Sequence, residues 1–177
     1  MGTIRDHWKM ILAEGILFIL LGFLAVLFPV FSTFTFELFI GWLLLIGGVF
    51  SIYRVLTAQE IPGFWPSLIA ATISIIVGIL LLTYPLKGVL TLTILLAIYF
   101  LVDGIAKLIF SLEWRPLQNW GWLLISGLLP LAIAAIIYMG WPGTAVWTLG
   151  LLLGINLLFY GWTLTFLALT AKDTPGI

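Results

Sequence analysis

The sequence predicts an all-α membrane protein whose six transmembrane helices form three parallel helical-hairpin repeats in a pseudo-threefold arrangement. Three observations lead there. Of 177 residues, 63% are hydrophobic and 8% charged, whereas a water-soluble domain carries about a quarter charged residues. Long tracts also lack Asp, Glu, Lys and Arg altogether: 22 residues between Glu14 and Glu37, 26 between Glu60 and Lys87, and 56 from Pro116 to Ala171. Finally, three aromatic-proline turns, at Phe28-Pro29, Tyr84-Pro85 and Trp141-Pro142, have prolines 56 and 57 residues apart.

A single span needs about 20 apolar residues at roughly 1.5 Å each, so the last tract crosses twice. The punctuation gives six segments, approximately 9–28, 37–58, 64–84, 88–110, 118–140 and 144–170. Each is expected to be helical, because a lone spanning segment must satisfy its own backbone hydrogen bonds. They form a single six-helix domain over 1–177, with repeats at approximately 8–58, 64–113 and 118–170. The first segment runs from Ile11 through Phe28 into Pro29 with bulky residues throughout, and reads as a retained helix, not a cleaved signal. Glu37 opens the second segment, where its charge suits the positive end of the helix dipole. Pro130 is expected to kink the fifth. Asn156, midway along the sixth, reads as a hydrogen-bonding group between helices.

Small residues stand 12 and 19 positions after each turn proline: Gly41 and Gly48, Ala97 and Gly104, Gly154 and Gly161. Seven residues is close to two helical turns, so each pair shares a face. The odd-numbered helices show a weaker form, Gly15 with Gly22 and Ala71 with Gly78, decaying to Leu128 with Ala135. Such stripes are packing seams, letting backbones approach where lipid removes any hydrophobic drive between helices.

Because each repeat holds two spans, all three enter from the same side. Arg5, Lys9, Arg54, Lys107, Arg115 and Lys172 lie toward the amino-terminal side, against Lys87 alone at the proline turns. The positive-inside rule then puts both termini in the cytoplasm. Trp8, Trp65, Trp114, Trp120 and Trp122 fall near the cytoplasmic ends and Trp141 and Trp147 near the other face, as interfacial anchors.

The opening Trp8, then Gly15-Ile16-Leu17 and Leu21-Gly22 ahead of Phe28-Pro29, resembles the repeating unit of the HdeD-like acid-resistance membrane proteins. Ala97-Ile98-Tyr99-Phe100-Leu101-Val102-Asp103-Gly104-Ile105 is similar to the fourth helix of that family. Trp141-Pro142 with Gly150 to Gly161 is similar to its closing hairpin. The resemblance covers about Trp8 to Leu169 and implies a prokaryotic inner-membrane protein associated with tolerance of acid, with no catalytic residue to carry over. Glu14 departs from it, standing where a basic or neutral residue is expected before the glycine.

Ionisable groups inside a bilayer require an account. Asp103 and Lys107 are spaced i and i+4 on the fourth helix and can meet on one face. Counted from Gly88, Asp103 lies roughly 22 Å across a ~30 Å apolar layer, and Glu14 and Arg54 reach a similar level. A buried ionic cluster of Glu14, Arg54, Asp103 and Lys107 is therefore expected, as a clasp closing the bundle or as a proton-responsive element.

Other chemistry finds little footing. The absence of cysteine excludes disulfides, thiol nucleophiles and thiolate metal sites. His7, the one histidine, sits in a charged tail where solvent exposure is expected and metal ligands are missing. No phosphate loop, nucleophile elbow or HExxH pattern is present, and no basic run suits nucleic acid. The sequence thus reads as a non-enzymatic membrane protein without cofactor or metal. Its partners are membrane lipids and either further copies of itself or a membrane complex. Rival readings are a small proton or solute channel or transporter, and an accessory subunit or assembly factor of a larger complex.

Overall fold

The computed structural model describes residues 8–57, 63–113 and 120–173. Arg5, His7, Trp114, Arg115 and the side chain of Lys172, which entered the orientation and metal arguments, lie outside the described residues. Six helices follow one another: α1 (Trp8–Leu27), α2 (Pro29–Thr57), α3 (Phe64–Thr83), α4 (Pro85–Glu113), α5 (Trp120–Gly140) and α6 (Ala145–Asp173). All six are long and apolar enough to cross a membrane.

Two helix starts differ by three residues or more from the sequence expectation. The second helix begins at Pro29 and the fourth at Pro85, not at Glu37 and Gly88. Proline lacks an N–H, but the first turn of a helix has no use for one, and its fixed φ is already helical. The turn prolines therefore end one helix and start the next, with a single residue, Phe28 or Tyr84, between them. The third turn is longer. The Trp141-Pro142 peptide is cis, Thr144 Oγ1 donates to Ile137 O at 2.9 Å, and α6 starts only at Ala145.

The helices fall into two compact units, Met1–Thr33 with Trp147–Ile177, and Phe34–Val146. In the first, α1 packs antiparallel on α6 through glycines. A Cβ on Gly15 would lie 2.9 Å from Thr165 N and 3.0 Å from Gly161 O, and one on Gly22 would lie 2.8 Å from both Gly154 O and Leu158 N. The first turn of α2 is tied to α6 by Thr33, which is fully buried. Its hydroxyl donates to Pro29 O and accepts from the Gly150 N–H, both at 2.8 Å. Any side chain at Gly150 would collide with Pro29 O.

In the second unit the same construction occurs twice. Helix α2 packs on α3, where a Cβ on Gly48 would lie 3.0 Å from Ala71 O and one on Gly78 would lie 2.9 Å from Gly41 O. Helix α4 packs on α5, where a Cβ on Gly104 would lie 2.9 Å from Gly127 O. The seams thus join each even helix to the odd helix after it, with α6 joined to α1. Seven residues beyond Gly48, Gly104 and Gly161 the stripe continues in Val55, Ser111 and Ala168, all buried.

One register needs correction. The third odd helix buries Gly127 and Ala134, one residue before the expected Leu128 and Ala135, and Leu128 is 48% exposed. Counting from the seams, Ala71 to Gly127 and Gly78 to Ala134 keep the 56-residue spacing. The additional residue before Pro142 belongs to the longer third turn, so alignment on the proline displaces α5 by one position. Pro130 stands inside α5 and is buried. Large apolar side chains face outward throughout, Phe31 at 74% and Met139 at 86% exposure for example. That pattern suits a chain whose solvent is lipid and whose seams are built from small residues.

Candidate functional site

Glu37 is the buried acid of the second unit. It sits eight residues into α2, roughly 12 Å along the axis from Pro29, and four residues before Gly41, on the face that meets α3. Its side chain is fully buried, and neither carboxylate oxygen has a hydrogen-bond partner among the described residues. The expectation of a helix-capping role fails because α2 starts two turns earlier.

Room for the carboxyl comes from α4. A Cβ on Gly88 would overlap Glu37 Oε1, and would lie 3.0 Å from Glu37 Cδ and 2.8 Å from Leu81 Cδ2. Glycine at this position thus opens a notch in α4 that the carboxyl fills, with Leu81 of α3 beside it. Near Gly88, among the described residues, the ionisable groups of the α3–α4 turn and the first turn of α4 are Tyr84 and Lys87. Both are exposed and engaged with each other, the ammonium 4.8 Å from the ring centroid. Packed apolar groups replace the solvation that a carboxylate ordinarily keeps.

At the far end of α4, Lys107 Nζ meets Asp103 Oδ2 at 2.6 Å, the pairing that their i,i+4 spacing predicts. The side chains are 39% and 26% exposed respectively. The Lys107 stem also backs the seam, its Cβ lying 3.0 Å from where a Gly127 Cβ would stand. Glu14 and Arg54, the other members of the expected cluster, are exposed. The physical reason is angular: each stands immediately before a buried seam residue, Gly15 or Val55, and one residue turns the side chain by about 100° around the axis. Residue counting says nothing of direction; of the four, Asp103 and Lys107 form a half-exposed pair, while Glu14 and Arg54 are exposed.

The remaining expected positions fall on the seams. Gly41, Gly48, Gly104, Gly154 and Gly161 are buried and Ala97 is half-buried. Among the described residues, no three His, Cys, Asp or Glu side chains come together as a metal site requires. Asn156 is exposed, on the outer side of α6. Repeat alignment held a signal for the buried acid: eight residues after the turn prolines stand Glu37, Thr93 and Gly150, and all three are buried.

A family described as a short repeat of unknown function (DUF308) matches residues 13–83 and again 69–139. The chain belongs to the DUF308 family. The two matched segments are offset by 56 residues, the spacing that the seam positions of the odd-numbered helices keep and the third proline turn breaks. Protein HdeD of Escherichia coli strain K12 is 26% identical over 175 residues, covering 96% of this chain and 91% of HdeD. The HdeD proteins of Escherichia coli O157:H7 and Shigella flexneri match to the same extent. This DUF308 chain is accordingly an HdeD-like, multi-pass membrane protein with an internal repeat. No solved structure matches it.

Proposed function

We propose that this HdeD-like protein serves acid or general stress tolerance as a non-enzymatic component of a prokaryotic inner membrane, with both termini cytoplasmic and the proline turns outside. The observation that carries the proposal is the fully buried carboxyl of Glu37, unpartnered among the described residues. A carboxylate charge in such surroundings costs several kcal/mol unless it finds a partner. Glu37 can therefore exchange its proton only as the α2, α3 and α4 packing around it changes. External acid is the condition that loads carboxyls, and Glu37 lies toward the turn side of its helix. The Gly88 notch supports this reading, since it couples the carboxyl directly to the position of α4.

Glu37→Gln keeps the shape and removes the titration. Wild type is expected to protect an acid-sensitive bacterial host lacking its own relatives, and the variant, present in the membrane at equal amount, to protect it at least ten-fold less (about 1.4 kcal/mol as an equilibrium effect). Purified protein should show a pH-dependent unfolding midpoint that Glu37→Gln flattens. Equal protection together with superimposable pH profiles would end the proposal.

A further inference from the structure

We propose that the groove between α4 and α5 binds one anionic phospholipid, an acyl chain lying in the groove and the phosphate meeting Lys87. The groove has a volume of about 870 Å³ and is lined by Ile94 and Leu101 of α4, by Leu131, Ala135 and Tyr138 of α5, and by Trp141. From Leu131 to Trp141 it extends ten residues, roughly 15 Å, the depth of one leaflet of a ~30 Å hydrocarbon layer. Its lining is apolar along that depth and ends in Tyr138 and Trp141, ring systems that favour the headgroup level.

Charge selects the lipid. Lys87, Ile94 and Leu101 follow one another at intervals of seven residues, so they share a face of α4. Lys87 stands two turns above Ile94, toward the proline turns. It is exposed, its ammonium rests over the Tyr84 ring, and it forms no ion pair among the described residues. A cation at headgroup height above an apolar channel of leaflet depth complements a phosphate that bears an acyl chain.

The test uses the full chain purified in mild detergent, with phosphatidylglycerol or phosphatidylcholine of identical acyl chains added and retained lipid counted by native mass spectrometry. One phosphatidylglycerol per chain should be retained about five-fold more readily than phosphatidylcholine, the factor that one lysine near a headgroup supplies. Lys87→Gln should erase the preference, and Ala135→Phe, which fills the groove, should lower retention of both lipids. Intrinsic tryptophan melting curves verify that each variant is folded. Equal retention of the two lipids by wild type, or a preference that survives Lys87→Gln, overturns the proposal. A wild-type dimer that Ala135→Phe dissociates without change in lipid retention also overturns it, assigning the groove to a second copy.

Discussion

Replacing Gly78 by alanine isolates the steric content of a seam. A Cβ at this position would stand 2.8 Å from Leu45 N, 2.9 Å from Gly41 O and 3.1 Å from Leu45 Cα. All three neighbours are backbone atoms of α2, so no rotamer change relieves the contact. Restoring an ordinary separation of ~3.5 Å from the 2.8 Å contact requires α2 and α3 to move apart by about 0.7 Å. Overpacking of this kind costs roughly 1–3 kcal/mol, while alanine regains about 1 kcal/mol of helix propensity over glycine. Gly47→Ala supplies the comparison, because a Cβ there meets nothing within 4 Å and only the propensity gain remains. The two variants should therefore differ by about 1–3 kcal/mol, with Gly78→Ala the less stable, in equilibrium unfolding by mixed detergent micelles. If Gly78→Ala proves as stable as Gly47→Ala, the close approach of α2 and α3 is wrong.

Further expectations follow from other elements. Thr33→Val should cost about 1–3 kcal/mol in the same assay, because it removes a buried hydroxyl that serves both Pro29 O and the Gly150 N–H; an unchanged midpoint would show that this clip adds nothing. Asp103→Asn and Lys107→Gln, combined in a double-mutant cycle, should reveal a coupling of only ~0.5 kcal/mol, since the pair is partly exposed; a coupling of several kcal/mol would restore a buried ionic cluster. The chain has no cysteine, so single cysteines report topology directly. Gly143→Cys should react with an impermeant maleimide on intact cells and Thr57→Cys only after permeabilisation, and the opposite pattern would reverse the proposed orientation.

The spans were legible because bilayer thickness acts on sequence as a ruler, and the seams of the even-numbered helices because small residues seven apart recur in all three. What escaped was angular or local. Glu14 and Arg54 are exposed where burial was expected, since counting residues measures rise and ignores rotation. Glu37 reads as a helix start because a charge closes the apolar tract before it, although a proline at the first position favours a helix beginning at Pro29. Its burial was readable from the four-residue step to Gly41. The one-residue displacement in α5 arose from trusting a turn, where insertion is cheap, over a seam, where it is not.

The antiparallel contact of α1 with α6 makes the first and last helices a bonded pair like the two others, so the molecule has no structurally privileged beginning. Trp8 and Asp173 lie at one end of that pair, and a short linker between them would leave every glycine contact intact. Opening the chain instead after Thr57 should give a circularly permuted protein with the same three couples. A gene that grows by copying such units can shift its start site by one helix without redesigning a single contact.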